Sequence, residues 1–385
     1  MKILHCCLAS FYIDNYGYQE NILPKMHKQQ GYEVRILAST ESYIDNKKLG
    51  YLPASSYLSE TGIPVTRLPY IKWLPHKVIK KLRVYKGVKK YLLNFNPDII
   101  FIHDLQFISI LDISRYVKEN NKVKVFVDGH TDFINSARNW VSKNVLHRIV
   151  YKWCAKIIEP YTTKFYGVLP LRVDFIHQVY GIPKSKIELL ELGADDSVYD
   201  VSKRDIIKTT IRKKLDINEN DILLITGGKI DERKKIHQLL KTVNQIHRHD
   251  IKIIVFGQAN LEMENELDEL SSSPFVRYLG WLQANDIYDY LIASDLGFFP
   301  GTHSILWEQA VGVGLPCVFR KWDRIQHIDL GGNCKFINDS ELETIKNSIL
   351  SIVDDPDSLN KMREIAMTKG VNHFSYSKIA RRAII

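Results

Sequence analysis

At 385 residues the chain is long for one hydrophobic core, and two domains of roughly 190 residues each fit the usual domain size. A content of 45% hydrophobic and 25% charged residues excludes a disordered or fibrous chain, and no run of eighteen apolar residues is present to form a membrane-spanning helix. The net charge of +9 points to an anionic partner: nucleic acid, anionic lipid or a phosphate-bearing substrate.

The opening, MKILHCCLASFY, lacks a small-residue cleavage site and reads as a first buried strand over Lys2–Leu8. Adjacent Cys6 and Cys7 point to opposite faces of that strand, which argues against a metal site. With Cys154, Cys317 and Cys334 they suit reduced thiols in a cytosol. A loop over Ala9–Gly17, a helix over about Tyr18–Gln30, the stop at Gly31 and a strand over Glu33–Ala38 follow. Strand and helix patterns alternate in this way along the chain, which predicts parallel sheets covered on both faces. Thr40–Pro64 is polar and reads as an irregular excursion. Between Ile71 and Leu93 the chain carries Lys72, Lys77, Lys80, Lys81, Arg83, Lys86, Lys89 and Lys90 without an acidic residue. Val78, Leu82, Tyr85, Val88 or Lys89, and Leu92 follow helical spacing, with Trp73-Leu74-Pro75 as an apolar lead. A basic amphipathic helix of this kind reads as a membrane-surface element contacting anionic lipid through Trp73, Lys77, Lys80, Lys81 and Arg83, about 1 kcal/mol per cation. The plain alternative is a solvated helix covering the sheet. Nucleic acid is disfavoured, because aromatic interleaving is missing outside Trp73 and Tyr85.

Asp98–His103 and Val123–Val127 read as buried strands, the second running into Asp128-Gly129-His130. Both lead to a histidine where a catalytic loop begins in an α/β sheet; Thr131 or Asp132 capping a helix is the plain alternative for the second. A basic helix over Ser136–Tyr151, with Arg138, Lys143 and Arg148, precedes a short strand over Lys156–Glu159. Thr162–Tyr180 includes a helix stopped by Gly181-Ile182-Pro183. Asp195-Asp196 lacks a third ligand and reads as a loop feature. After a charged helix over Ser202–Leu215, the strand Ile222–Thr226 leads into Gly227-Gly228-Lys229-Ile230-Asp231-Glu232-Arg233-Lys234-Lys235. Glycines after a strand permit close backbone approach, and Lys229 and Lys234 neutralise a diphosphate from two sides. Strands over Lys252–Phe256, Phe275–Leu279 and Asp295–Phe299 alternate with helices. The stretch Phe299–Phe319 then reads strand, tight loop, helix over about Ser304–Val313, strand, with Gly314 and Pro316 as the stop. Its helix start, at Ser304 and Ile305, favours an anion, and Glu308 one turn inside accepts from a sugar or ribose hydroxyl, which suits a nucleotide diphosphate sugar. Helices over Ser340–Val353, Pro356–Thr368 and about Tyr376–Ile385 close the chain.

The segment E-Q-A-V-G-V-G-L-P-C-V beginning at Glu308 resembles the E-A-x-A-x-G-x-P-V segment of GT-B glycosyltransferases, especially the retaining family-four (group 1) enzymes of bacterial polysaccharide synthesis. Gly228-Lys229-x4-Lys234 is similar to the family's G-R/K-x4-K pair that clamps the donor pyrophosphate. Leu279-Gly280 resembles the strand end that contacts the nucleobase, Gly31-Tyr32-Glu33-Val34 the G-H-x-V turn, and Gly193-Ala194-Asp195-Asp196 the segment closing the first domain. By the same resemblance His130 lies near the transferred sugar, with Gly17 and His103 on the acceptor side. One position departs: the family's second Glu, eight residues before Glu308, is Pro300 here. The fold implied is α/β, two Rossmann-like domains with parallel sheets facing across a cleft. Residues 1–195 would bind acceptor, 196–370 nucleotide sugar, and the helix 371–385 would return to the first domain.

The activity implied is transfer of a hexosyl unit from a nucleotide diphosphate sugar to a saccharide or lipid-linked acceptor. Neither metal nor further cofactor is expected, and the place is the cytoplasm, at the inner face of the plasma membrane. Lys229 and Lys234 would stabilise the leaving phosphate, Glu308 hold the ribose and His130 orient the sugar. A sugar-nucleotide epimerase of the same fold and a non-catalytic saccharide- or nucleotide-binding relative are the alternatives.

Overall fold

Continuous apolar runs such as IIFIH and ILLITG leave no polar face, so each strand must be covered on both sides. In the computed structural model these runs are central strands of two separate sheets. The structure describes residues 1–44, 48–73, 75–133, 136, 140 and 142–385. The chain divides into two compact units, Met1–Glu191 with Ile379–Ile385, and Leu192–Lys378. The division falls before Gly193, and residues 371–378 stay with the second unit. Backbone bonds explain this: the Ala194 N–H donates to the Phe374 carbonyl at 2.8 Å and the Tyr376 N–H to the Ala194 carbonyl at 3.0 Å.

In the first unit the strands are β1 (Lys2–Cys7), β2 (Glu33–Ser39), β3 (Glu41–Ile44), β4 (Lys48–Tyr51), β5 (Ser55–Leu58), β6 (Pro64–Leu68), β7 (Ile99–His103), β8 (Lys124–Gly129), β9 (Thr162–Gly167) and β10 (Ile187–Leu189). Among the described residues the main sheet runs β10-β9-β8-β7-β1-β2-β6-β5 and is parallel except for the β5–β6 pair. The second unit holds β11 (Ile222–Gly227), β12 (Ile251–Phe256), β13 (Val276–Tyr278), β14 (Leu296–Phe299), β15 (Cys317–Arg320) and β16 (Cys334–Ile337), all parallel in the order β13-β12-β11-β14-β15-β16. This doubly wound order reverses direction between β11 and β14, where ligands bind in such sheets. No described helix is long and apolar enough to cross a membrane.

Three local expectations are corrected. Thr40–Pro64 is not irregular: β3 pairs with β4 and β5 with β6, both antiparallel. Tyr57 on β5 accepts from Arg67, a buried guanidinium that also donates to the Ser39 and Tyr12 carbonyls and to Asp14. Lys156–Glu159 is not a strand, because Cys154, Ala155 and Ile158 bury one face of the helix Lys152–Ile158. The basic stretch is not one helix. It is two, His76–Leu82 and Val88–Phe95, broken by Arg83 at φ 51° and Gly87 at φ 99°. Within the break, Tyr85 turns inward and its hydroxyl donates to the Leu8 carbonyl at 2.8 Å. Tyr85→Phe leaves that buried carbonyl without the bond, so a loss of about 1–2 kcal/mol in urea unfolding is expected. Leu74 and Arg138 lie outside the described residues.

Candidate functional site

Beside the switch point, backbone hydrogen bonds join the ends of β11, β12 and β13. The Gly228 N–H donates to the Phe256 carbonyl at 3.0 Å, and the Gly257 N–H to the Gly280 carbonyl at 2.8 Å. Gly257 sits at φ 123°, and a Cβ there would lie 1.8 Å from the Gly228 carbonyl oxygen, so no side chain fits. Gly228 (φ 105°) and Gly280 (φ 66°) share the left-handed region, and the Leu279 N–H is spent on the Val255 carbonyl at 2.8 Å.

The loop after β11 is shaped by Asp231. Its Oδ1 accepts the Arg233 and Lys234 N–H groups at 3.1 and 3.2 Å, capping the single turn Glu232–Lys234, while Oδ2 pairs with Arg233 at 2.7 Å. That turn aims the Lys234 ammonium at the carbonyls of Thr302 and His303, 2.7 and 2.8 Å away. Gly301 packs on the same turn, where a Cβ would meet the Lys234 carbonyl at 2.3 Å. The ammonium therefore ties the loop after β11 to the loop after β14. Burial pushes the Lys234 pKa down to about 8. Lys229, on the same loop, is exposed.

An anion reaching Lys234 would raise that lowered pKa. If that anion is a diphosphate, its affinity is full below pH 8 and weakens as pH rises through 8, by up to about tenfold per unit, with proton uptake on binding. Calorimetry at pH 8.5 in buffers of different ionisation enthalpy measures the uptake.

Glu308 is fully buried on the helix Leu306–Gly312. Burial would push its pKa up, but His303 Nε2, at 2.8 and 3.0 Å from the two oxygens, and His327 Nε2, at 3.0 Å, hold it at about 2. Both carboxylate oxygens are thus engaged by imidazoles. A ribose hydroxyl would have to share or displace one of them, a condition the sequence reading lacked. Trp307 beside it stacks on Phe319 at 4.4 Å. Ser304 and Ile305 are half-buried ahead of the helix, and the Ser304 carbonyl accepts the Trp307 N–H at 3.0 Å.

Pro300 lines a cavity of about 390 Å³ with Arg233, Lys235, Arg320, Trp322 and Asp339. The Trp322 indole donates to the Gly301 carbonyl at 3.1 Å, fixing this wall to the same loop. Sequence reasoning missed Arg320, at the end of β15, and Trp322 and His327, which lie in a stretch without periodicity.

In the first unit, His103 ends β7 opposite Asp128 of β8, and its Nδ1 lies 2.8 Å from Asp128 Oδ2. His130 Nε2 is 3.3 Å from Asp128 Oδ1. Asp128 acts first among the groups that raise the His130 pKa, to about 9, against burial, which lowers it. Gly17 is half-buried in the loop after β1. His5 and His27, which sequence reading passed over, join this group. The alternation of β1 that places His5 on the face of His103 was the available signal.

Of the surface residues, Trp73 is 71% exposed, Lys77 and Lys81 are exposed and Lys80 is half-buried. Arg83 departs from expectation: its guanidinium turns inward and donates to the Gln106 carbonyl at 3.2 Å, because the chain leaves the helix there.

Residues 207–369 match the family model described as glycosyl transferases group 1. No curated protein matches the chain in sequence. Among solved structures the chain is similar to HepE from Anabaena in complex with UDP, at 14% identity over 99% of this chain and 98% of that chain, with a TM-score of 0.67. It is also similar to the catalytic domain of starch synthase IV from Arabidopsis thaliana bound to ADP and acarbose, at 15% identity, 100% and 99% coverage and a TM-score of 0.65. A third is WaaG, a glycosyltransferase involved in lipopolysaccharide biosynthesis, at 15% identity, 99% and 98% coverage and a TM-score of 0.63.

Proposed function

Because residues 207–369 belong to the glycosyl transferases group 1 and the chain has the fold of GT-B glycosyltransferases, we propose that it moves a sugar from a nucleotide diphosphate donor to a saccharide or lipid-linked acceptor. The observation that carries this reading is the Gly228–Lys235 loop at the switch point, where Lys229 and Arg233 are exposed cations and Lys234 is a fixed one.

As the bond between sugar and diphosphate breaks, negative charge grows on the leaving phosphate. A cation already in place stabilises that charge without reorganising, worth about 3–4 kcal/mol for one donor. Lys234 is in place because Asp231 caps its turn and two carbonyls hold its ammonium. Gly228 lets the backbone approach the diphosphate, and the Leu279-Gly280 strand end meets the base. Glu308 meets the ribose by sharing its histidines. His130, carrying a proton at neutral pH, orients the sugar, with Gly17 on the acceptor side; His103, buried with both ring nitrogens engaged, acts only behind Asp128. No residue is needed as a metal ligand in this scheme.

A role in bacterial cell-surface polysaccharide synthesis, by a retaining hexosyl transfer in the cytoplasm, is our reading of the family-four resemblance; among the neighbours, WaaG is a glycosyltransferase involved in lipopolysaccharide biosynthesis. Contact with the inner membrane face is supported by exposed Trp73, Lys77 and Lys81, with Lys86, Lys89 and Lys90 following.

A thermal-shift screen with UDP, GDP, ADP and their sugars tests the donor site. A binder at 100 times its Kd raises stability by about 2.7 kcal/mol, a shift of several degrees. Nucleotide release that depends on an acceptor supports transfer. Interconversion of the donor sugar without acceptor would make the chain an epimerase, and no shift with any nucleotide would sink the proposal.

A further inference from the structure

The buried face of the first sheet carries a file of five hydrogen-bonded or ion-paired side chains. His27 Nε2 lies 2.8 Å from the Ala380 carbonyl, and His27 Nδ1 lies 3.0 Å from His5 Nε2. His5 Nδ1 lies 3.0 Å from His103 Nε2, and His103 Nδ1 lies 2.8 Å from Asp128 Oδ2. His130 continues it at 3.3 Å from Asp128 Oδ1. His5, His27, His103 and Asp128 are fully buried, so water cannot supply a missing partner. Sheet register builds the file: β1 pairs His5 with Phe101 of β7, two residues from His103, and β7 pairs His103 with Asp128.

The two ends of the His27–His5–His103 segment conflict if all three rings are neutral. A carbonyl only accepts, so His27 Nε2 must carry the proton and its Nδ1 must accept. His5 then donates from Nε2 and accepts at Nδ1, and His103 donates from Nε2. That leaves a bare lone pair on His103 Nδ1 facing a carboxylate oxygen at 2.8 Å. Something positive must stand between them, either a proton or a metal ion.

Distance decides between the two. A tetrahedral zinc about 2.0–2.1 Å from each atom would hold them about 3.3–3.4 Å apart. The observed 2.8 Å is the length of a charge-assisted hydrogen bond. We infer that the three-histidine file holds one proton more than three neutral imidazoles, resting on His103 as a buried imidazolium against the Asp128 carboxylate. Burial and the neighbouring histidines push His5 well below the ordinary range, and burial takes His27 to about 4, so the charge does not rest on either. Cys7, Glu20, Asp104 and His130 are the other titratable groups acting on this end of the file.

His103, His5 and His27 are then positioning residues. They fix the charge and orientation of Asp128, whose other oxygen faces His130. The part played by His130 in sugar transfer rests on the function proposed above; the excess proton does not, because it is read without any donor.

The test is nitrogen NMR of the full chain labelled at histidine, titrated from pH 6 to 8.5 without nucleotide. Besides His130, one ring of the His27–His5–His103 segment should stay protonated on both nitrogens throughout, and the other two should stay neutral with the proton on Nε2. In Asp128→Asn the amide N–H meets the His103 lone pair directly, so the doubly protonated signal should vanish while circular dichroism is unchanged. Three neutral rings in the wild type would overturn the inference even if the variant failed to fold. So would an imidazolium that survives in a folded Asp128→Asn, or stoichiometric zinc in the purified protein whose removal by chelator shifts His103 Nδ1.

Discussion

Lys234→Ala is expected to lower kcat by about 10²–10³-fold, the cost of removing one fixed donor aimed at developing negative charge. The argument rests on where the ammonium stands before any ligand arrives. Held by the Thr302 and His303 carbonyls, it needs no rearrangement when the diphosphate leaves. Removing it also frees two half-buried carbonyls and loosens the loop after β14, so nucleotide affinity should fall together with turnover. Lys229→Ala separates the effects. That side chain is exposed and ties no loop, so its loss should weaken affinity while leaving the melting temperature within a degree or two. Steady-state kinetics with acceptor, together with nucleotide titration, measures both. Unchanged affinity and turnover in the double variant would remove the pyrophosphate clamp, and with it the transferase reading of this loop.

The second large effect is structural in origin. Gly257→Ala should destabilise the second unit by about 3 kcal/mol or more, since it adds left-handed strain of roughly 1–3 kcal/mol to a clash with backbone. The new methyl would stand 1.8 Å from the Gly228 carbonyl oxygen, and backbone cannot rotate away as a flexible side chain would. Either β12 parts from β11 at its end or the Gly228 loop moves outward, carrying Lys229 with it. Differential scanning calorimetry should show a drop of about 6–12 °C for a unit of this size. Nucleotide affinity should fall in the protein that remains folded. A variant with wild-type melting temperature would mean that the strand ends are far looser than the hydrogen bonds from Gly228 to Phe256 and from Gly257 to Gly280 imply.

Much of the candidate site was legible before any coordinates because its signals are local. A loop of glycines and lysines directly after an apolar strand, or a helix bounded by Pro300 and Gly314, is written within fifteen residues. Lys229, Lys234 and Glu308 are proposed as site residues on that basis. What their side chains do was not legible. Glu308 looked like a carboxylate offered to a sugar, and His327, 19 residues away, turned out to share its oxygens with His303. Arg83 looked like one cation among many on an outer face, and the helix break at Arg83 and Gly87 turned it inward.

The sequence alone determined the rhythm of this protein: apolar runs that require cover on both faces, glycines where strands end, and cations where an anion would be received. Periodicity and composition suffice there, because each is a property of neighbouring residues. Tertiary structure decided the pairings. His5 meets His103 across 98 residues because β1 lies beside β7, and His27 meets Ala380 across 353 because the chain end groups with the first unit. Sheet order and register set such contacts, and the chemistry of a buried polar group is fixed by the partner it faces, which no local pattern records.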